Sequence, residues 1–248
     1  MIIGGSSVFY GAPLMCSLGA EYSGVDLVFP VLPKQHLEVA KTYSLNFILQ
    51  HFKEDNFSQK DVKALAKASQ SMDCVVIGPG LGKDGETKAA AKELLGEIKV
   101  PTVVDAGALV YSNNLPETCI FTPHRGEFRA LTGEEPHPEN IQKWARDMGI
   151  IIVCKGPEDI IANKDEVAIN TTGNAMMTVG GTGDVLAGLI GGLIAQKIDA
   201  FEACKIATRI LGETAEGYEG MEHSLRAVDL AYTLPIHLAK LEVDEGNN

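Results

Sequence analysis

Val179-Gly180-Gly181-Thr182-Gly183-Asp184 runs without a break into Val185-Leu186-Ala187-Gly188-Leu189-Ile190-Gly191-Gly192-Leu193-Ile194. Val185, Leu186, Leu189, Ile190, Leu193 and Ile194 fall on one stripe, so the spacing predicts an apolar helix over 183–196. Glycine costs about 1 kcal/mol in a helix interior, so Gly188, Gly191 and Gly192 predict a close approach to the sheet. The glycines ahead of the helix let backbone N–H groups converge on an anion, where the helix dipole adds partial positive charge. An acid in a first turn can merely complement that dipole. This would account for Asp184, but not for three glycines and a threonine packed around it. A carboxylate repels a phosphate unless it deprotonates the attacking nucleophile or works through a metal. Gly181, Thr182 and Gly183 therefore read as an anion hole, and Asp184 as general base for a hydroxyl attacking a phosphoryl group. Gly-Lys-Ser/Thr is absent, which excludes a P-loop nucleotidase.

Upstream of this stretch, short β-rich runs alternate with amphipathic segments. Strands are expected at 1–3, 27–31, 74–77, 102–105, 119–121, 150–154, 159–162 and 167–170. Helices are expected at 13–22, 59–69, 86–98, 126–131 and 139–148. Ser58 followed by Asp61 reads as a helix N-cap. Beyond residue 171 three long helices are expected, near 183–196, 199–217 and 224–241, and then a polar, frayed tail from 242 to 248. Alternation of strand and helix predicts an α/β fold, a mostly parallel sheet with helices on both faces. With no Ser/Pro linker, repeat or low-complexity tract, residues 1–248 read as one domain.

The chain has 248 residues, with 21 Lys+Arg against 33 Asp+Glu and a formal net charge of −12. That balance argues against nucleic acid or an anionic membrane surface as partner. An anionic small molecule would have to be held by local dipoles and a few placed cations. With 45% apolar residues the chain can bury a large core. No apolar run reaches the roughly 18–20 residues of a membrane span, and a basic leader is missing at the N-terminus, which predicts a cytoplasmic protein. Cys16, Cys74, Cys119, Cys154 and Cys204 show no metal spacing and read as reduced, buried thiols.

Four further motifs sit at predicted strand ends, where open α/β sheets bind ligands. Gly80, Gly82 and Gly85 satisfy G-x-G-x-x-G after the strand at 74–77, and Asp105 lies 25 residues beyond Gly80. A dinucleotide fold and a plain strand-to-helix turn are both open for this motif, although Pro79 stiffens the turn at its tightest point. Thr122-Pro123-His124-Arg125-Gly126-Glu127 crowds His124, Arg125 and Glu127 at another strand end, although a turn histidine bonded to backbone and a solvated Arg125 stay open there. Lys155-Gly156-Pro157-Glu158-Asp159 puts a cation where it could meet a phosphate, or forms a simple surface hairpin. Gly4-Gly5-Ser6-Ser7 with Tyr10-Gly11-Ala12-Pro13 supplies small residues against which a bulky ligand could rest.

Together these stretches resemble the ADP- or ATP-dependent NAD(P)H-hydrate dehydratases of the ribokinase-like superfamily. The matching segments are IIGGSSVFYGAP, VVIGPGLG, VVDAGAL, FTPHRGEF, VCKG, TTGN and GGTGDVLAGLIGGLIAQ, in family order. The resemblance implies a three-layer sandwich with the site at the carboxyl edge of its sheet. It implies repair of hydrated NADH or NADPH (NADHX, NADPHX). ADP or ATP phosphorylates the ring hydroxyl, phosphate is then eliminated, and NAD(P)H, AMP (with ADP) and phosphate are released. It implies Ala12, Gly80, Gly82, His124 and Asp184 as substrate contacts. It further implies Lys155, Gly156, Pro157, Glu158, Asp159 and Gly183 around the AMP portion, and Mg2+ bridging phosphates through unknown ligands. Asp105, Glu127 and Asn174 are secondary candidates. Relatives commonly form tetramers, and epimerisation of the hydrate would need a separate epimerase. One departure from the family is Ala175-Met176-Met177 after Gly173-Asn174, with Met176 in place of a glycine. Three rivals remain open: a small-molecule kinase of the hydroxyethylthiazole kinase type, an NAD-dependent oxidoreductase using the glycines at 80–85, and a non-catalytic nucleotide sensor.

Overall fold

Each apolar run bounded by Gly, Pro or Asp becomes a short strand, and each amphipathic stretch between them a helix. In this computed structural model, which describes residues 1–218 and 225–245, the order begins β1 (Ile2–Ile3), α1 (Gly11–Glu21), β2 (Pro30–Leu32), α2 (Leu37–Ala40), β3 (Gln50–His51), α3 (Gln59–Ser69), β4 (Val75–Ile77) and α4 (Gly85–Glu97). It continues with β5 (Thr102–Val104), β6 (Cys119–Phe121), α5 (Arg125–Thr132), α6 (Pro138–Met148), β7 (Ile151–Cys154), β8 (Asp159–Ala162) and β9 (Val167–Asn170). The long C-terminal helices are α7 (Thr182–Ala195), α8 (Ala200–Glu216) and α9 (Ala227–Glu245). Ser58 caps α3 in a reciprocal box with Asp61, as its spacing predicts. Residue 224, where the last helix is expected to begin, and 246–248 of the expected tail lie outside the described residues.

The described strands form one sheet in the order β3-β2-β1-β4-β5-β6-β7-β8-β9. The ladders from β3 to β7 are parallel, while β7, β8 and β9 pair antiparallel. Successive strand residues alternate between faces. Val76, Val103, Ile120 and Val153 join one core with α1, α7, α8 and α9. Val75, Ile77, Val104, Phe121 and Ile152 join a second core with α3, α4, α5 and α6. Two cores on opposite faces of one sheet make the three layers that the resemblance implies.

Several expectations need correction at the edges. The strand at 27–31 is shifted to Pro30–Leu32, because Val28 finds only an isolated bridge to Phe47. Strand β3 has no counterpart among the expected strands, since Gln50-His51 carries no apolar alternation and extends by pairing with Val31 and Leu32. The tail expected from 242 is helical as far as Glu245. The glycines of α7 meet chiefly another helix rather than the sheet. A Cβ on Gly188 would lie 1.8 Å from the Cys16 carbonyl oxygen, and one on Gly192 would lie 2.0 Å from Ser23 Oγ. Only Gly191 faces a strand, at Val76. Helices α1 and α7 thus touch backbone to backbone, which fixes α1 beside the anion-hole loop.

Gly188→Ala forces those two backbones apart in a closed core. Overpacking of this kind costs about 1–3 kcal/mol or more. The melting temperature should fall by roughly 5 °C or more, at about 2–4 °C per kcal/mol for a chain of this size. An unchanged thermal transition would contradict the close packing.

Candidate functional site

The motif loops all leave the carboxyl ends of strands. From β1 the sheet grows one way through β2 and β3, and the other way through β4 to β9, so β1 and β4 flank its topological switch point. Open α/β sheets bind ligands in the crevice above such a point. Here it is framed by the loop 4–10 and the loop 78–84. The Gly5 N–H donates to the Pro79 carbonyl oxygen at 2.8 Å, tying the two loops together. Ala12 and Gly80 face each other, so that a Cβ on Gly80 would stand 3.1 Å from that of Ala12. Phe9 and Tyr10 are exposed at the mouth. Gly4 and Gly5 are buried and Gly80 is partly so, and these small residues let the two loops and the start of α1 pack closely together.

The next strands supply charge. Backbone pairing of β6 and β7 continues past their ends, through a His124–Lys155 bridge and a Lys155 N–H donated to the Pro123 carbonyl oxygen at 2.8 Å. This aims Lys155 across the sheet edge at Asp105. Lys155 Nζ donates to Asp105 Oδ1 at 2.7 Å, and Thr122 Oγ1 donates to the same oxygen at 2.8 Å. Asp105 is 2% exposed. Burial pulls the Lys155 ammonium toward deprotonation, but the Asp105 carboxylate outweighs it and holds its pKa above the ordinary value. The pair bears on the dinucleotide-fold reading as well: Asp105 is buried, and its Oδ1 already accepts from two protein donors.

Helix α7 starts beside this pair. Gly181 is its N-cap in the left-handed region, with φ of 106°, and a Cβ there would lie 2.3 Å from Met15 Sδ. Only glycine satisfies both conditions. The Thr182 hydroxyl donates to the Met177 and Val179 carbonyl oxygens, at 3.0 and 3.2 Å, and so braces the loop. Amides at the start of a helix have no partner within it, and these are the groups available to an anion. Lys155 Nζ would stand 3.0 Å from a Cβ on Gly183, so the ammonium rests against the same helix end. Asp184 is half-buried in the first turn. Its pKa is pushed up to about 7, first by burial and then by the Asp105 charge, with Glu127 adding to the rise and Lys155 opposing it. A carboxylate poised near neutrality is matched to general-base work.

The remaining candidates fall into supporting positions. His124 caps α5: its Nδ1 accepts from the Glu127 N–H at 3.1 Å, and the Glu127 carboxylate accepts from the His124 N–H at 3.0 Å. Asp159 turns back into its own hairpin, accepting from the Gly156 N–H at 3.0 Å and from Asn170 Nδ2 at 3.1 Å. Pro157 and Glu158 are exposed on the turn. Asn174 accepts from the Met176 N–H and donates to the Ala215 carbonyl oxygen, anchoring the loop before α7 to α8. Met176, in the place of the family glycine, packs on the same core as α8. The sequence signals Thr122 only as a strand end and gives no sign of Met15. Its signal for Lys155 and Asp105 is their types at strand ends, not their pairing. A cavity of about 490 Å³ opens at the opposite edge of the sheet, between Val25, Asp73, Cys74 and Gln196. Its lining offers no cationic side chain for a phosphate, so it is not the candidate site.

The architecture defines the class first. A ribokinase-like superfamily protein of Enterococcus faecalis matches it with a TM-score of 0.84 at 24% identity, covering 96% of this chain and 86% of that one. The chain belongs to the NAD(P)H-hydrate dehydratase family, whose profile matches residues 1–235. The bifunctional NAD(P)H-hydrate repair enzyme Nnr of Pyrobaculum aerophilum is 35% identical over 247 residues, which cover 95% of this chain and 49% of the relative. The chain thus spans about half the length of that bifunctional relative. The ADP-dependent (S)-NAD(P)H-hydrate dehydratase of Cenarchaeum symbiosum is 33% identical over 250 residues, covering 95% of this chain and 86% of the relative. The ADP/ATP-dependent NAD(P)H-hydrate dehydratase of Bacillus subtilis, co-crystallised with ATP/Mg2+ and soaked with CoA, has a TM-score of 0.82 at 28% identity. It covers 96% of this chain and 90% of its own.

Proposed function

We propose that this chain dehydrates hydrated NADH or NADPH with ADP as phosphoryl donor, acting as one domain over residues 1–248. The observation that carries the reading is Asp184, a carboxylate poised near neutrality at a helix end that can hold an anion. The hydrated nicotinamide ring lies in the β1/β4 crevice against Ala12, Gly80 and Gly82, with His124 at its rim. The nucleotide lies over the turn 155–159, its terminal phosphoryl aimed at the amides of residues 181–183. Asp184 takes the proton of the ring hydroxyl, whose oxygen attacks the β-phosphorus of ADP. The bond to the AMP oxygen breaks and AMP leaves with its electron pair. The ring C–O bond of the phosphorylated hydroxyl then breaks, phosphate departs with that oxygen and the electron pair, and loss of a proton from the neighbouring carbon restores the ring double bond.

The amides contribute fixed dipoles where charge builds on the migrating phosphoryl group, and Lys155 adds a cation beside them. Among the described residues no three His, Cys, Asp or Glu side chains converge to cage a metal. Glu127, whose carboxylate lies near Lys155 and Asp184, would be the residue to face Mg2+ carried on the nucleotide phosphates. The ion would supply neutralisation of phosphate charge. Reactivation of the hydrate requires its reactive epimer, which a separate epimerase would provide, and the chain would work as a homo-oligomer.

Hydrated NADH incubated with the protein and ADP should regain the absorbance of reduced nicotinamide, with AMP and phosphate released in equal amounts. The same incubation with ATP tests the nucleotide preference. A phosphorylated ring that accumulates without elimination would identify a kinase instead, and hydride transfer without any nucleotide would identify an oxidoreductase.

A further inference from the structure

Arg125 opens α5 at the end of β6, next to the turn 155–159. It is half-buried, and its guanidinium lies on the Gly156 backbone, where a Cβ would stand 2.6 Å from Nε and 3.4 Å from Cζ. Any side chain at 156 would dislodge it. Among the described residues Arg125 has neither a hydrogen-bond acceptor nor an ion-pair partner. The other four arginines each donate to an oxygen: Arg129 to Glu135, Arg146 to the Lys164 carbonyl, Arg209 to Glu213 and Arg226 to Asp229. A partly desolvated guanidinium without an acceptor is held at a cost that an anionic ligand would remove.

Charge at this edge points the same way. A nucleoside diphosphate brings about three negative charges to a chain whose net charge is already −12. Lys155 is committed to Asp105, and Asp159 is committed to its own turn. Arg125 is the cation beside this turn that is not matched by a protein acid. Its position along the nucleotide follows from its surroundings. Lys155 Nζ stands at Gly183, one residue from the base, whereas the Arg125 guanidinium stands at Gly156 in the turn.

We infer that Arg125 determines nucleotide affinity by gripping the phosphate that is not transferred, the one retained in AMP. The inference rests on the turn 155–159 being the seat of the nucleotide. A guanidinium fork can meet two phosphate oxygens at once, which an ammonium cannot.

Calorimetric titration of the full chain with AMP and with ADP tests it. Arg125→Ala should weaken both by the same factor, roughly 10- to 100-fold for a charge-assisted contact. Arg125→Lys should fall between, because it keeps the charge without the fork. Gly156→Ala, which leaves Arg125 in the chain but occupies its resting place, should also weaken both ligands. Matching melting temperatures of the unliganded variants show that the fold is intact. Weakened ADP with unchanged AMP would move Arg125 to the transferred phosphate and overturn the assignment. Unchanged affinity for both would overturn any nucleotide role. If the parent chain binds neither nucleotide, the seat at 155–159 falls and the inference falls with it. Parent binding that is weakened in the Arg125 and Gly156 variants alike upholds both.

Discussion

Asp184→Asn lowers turnover by about 100-fold or more, because positioned proton transfer contributes roughly 10²–10⁴-fold to such reactions. The amide keeps the shape of the carboxylate but cannot accept the proton of the ring hydroxyl. ADP should bind within a few-fold of its affinity for the parent, since the α7 amides and Lys155 are untouched. Parent activity should rise with pH through an ascending limb near 7, the value to which burial and the Asp105 charge push the Asp184 carboxyl. The variant should lack that limb. Stability should move the other way. The folded carboxyl binds its proton up to about 7, against an ordinary value of 3.8, so between these the unfolded chain holds fewer protons. Folding stability then falls as pH rises through this window, and the charged carboxylate is a full liability above it. Asp184→Asn should therefore melt higher than the parent at pH 8, with the gap narrowing as pH falls from about 7 toward the ordinary value of 3.8. Near-parent turnover in the variant eliminates Asp184 as the base, whatever the melting curves show.

Lys155→Met has the largest expected effect on stability. Asp105 is 2% exposed, and the substitution leaves its carboxylate with the Thr122 hydroxyl as its remaining side-chain donor. Removing one partner of a buried ion pair costs about 3–5 kcal/mol. That corresponds to a drop in melting temperature of roughly 10 °C for a chain of this size. The double variant Lys155→Met/Asp105→Asn should recover much of the loss, because the uncompensated charge is gone, and this coupling is the signature of a direct pair. Additive losses, or a Lys155→Met variant as stable as the parent, would show that the two side chains do not hold each other in solution.

Both predictions turn on a relation that spans the chain. The motif around Asp184 is legible because glycine, threonine and a first-turn acid act within a few residues. The strands from β4 to β9 are legible because Pro, Gly and Asp bound apolar runs. By contrast β3 is not, since Gln50-His51 extends only because Val31 and Leu32 offer a ladder. Periodicity shows that Gly188 must meet something closely, but a helical stripe has no knowledge of its neighbour, and that neighbour is α1. Lys155 and Asp105 stand 50 residues apart, and nothing local announces that β5 and β7, on either side of β6, bring them within 2.7 Å.

The sequence by itself determined the alternation of strand and helix, the glycine-led entry to α7, the acid within its first turn and the strand ends that carry the candidate residues. These are short-range matters of backbone freedom, periodicity and residue chemistry. Only the tertiary structure decided that Lys155 is held by Asp105 at the mouth of that helix, that Asp159 is engaged within its own turn, and that Arg125 is left without an acid. Proton affinity and free charge depend on which side chains share one poorly solvated volume, and that is settled by strand order and burial rather than by position along the chain.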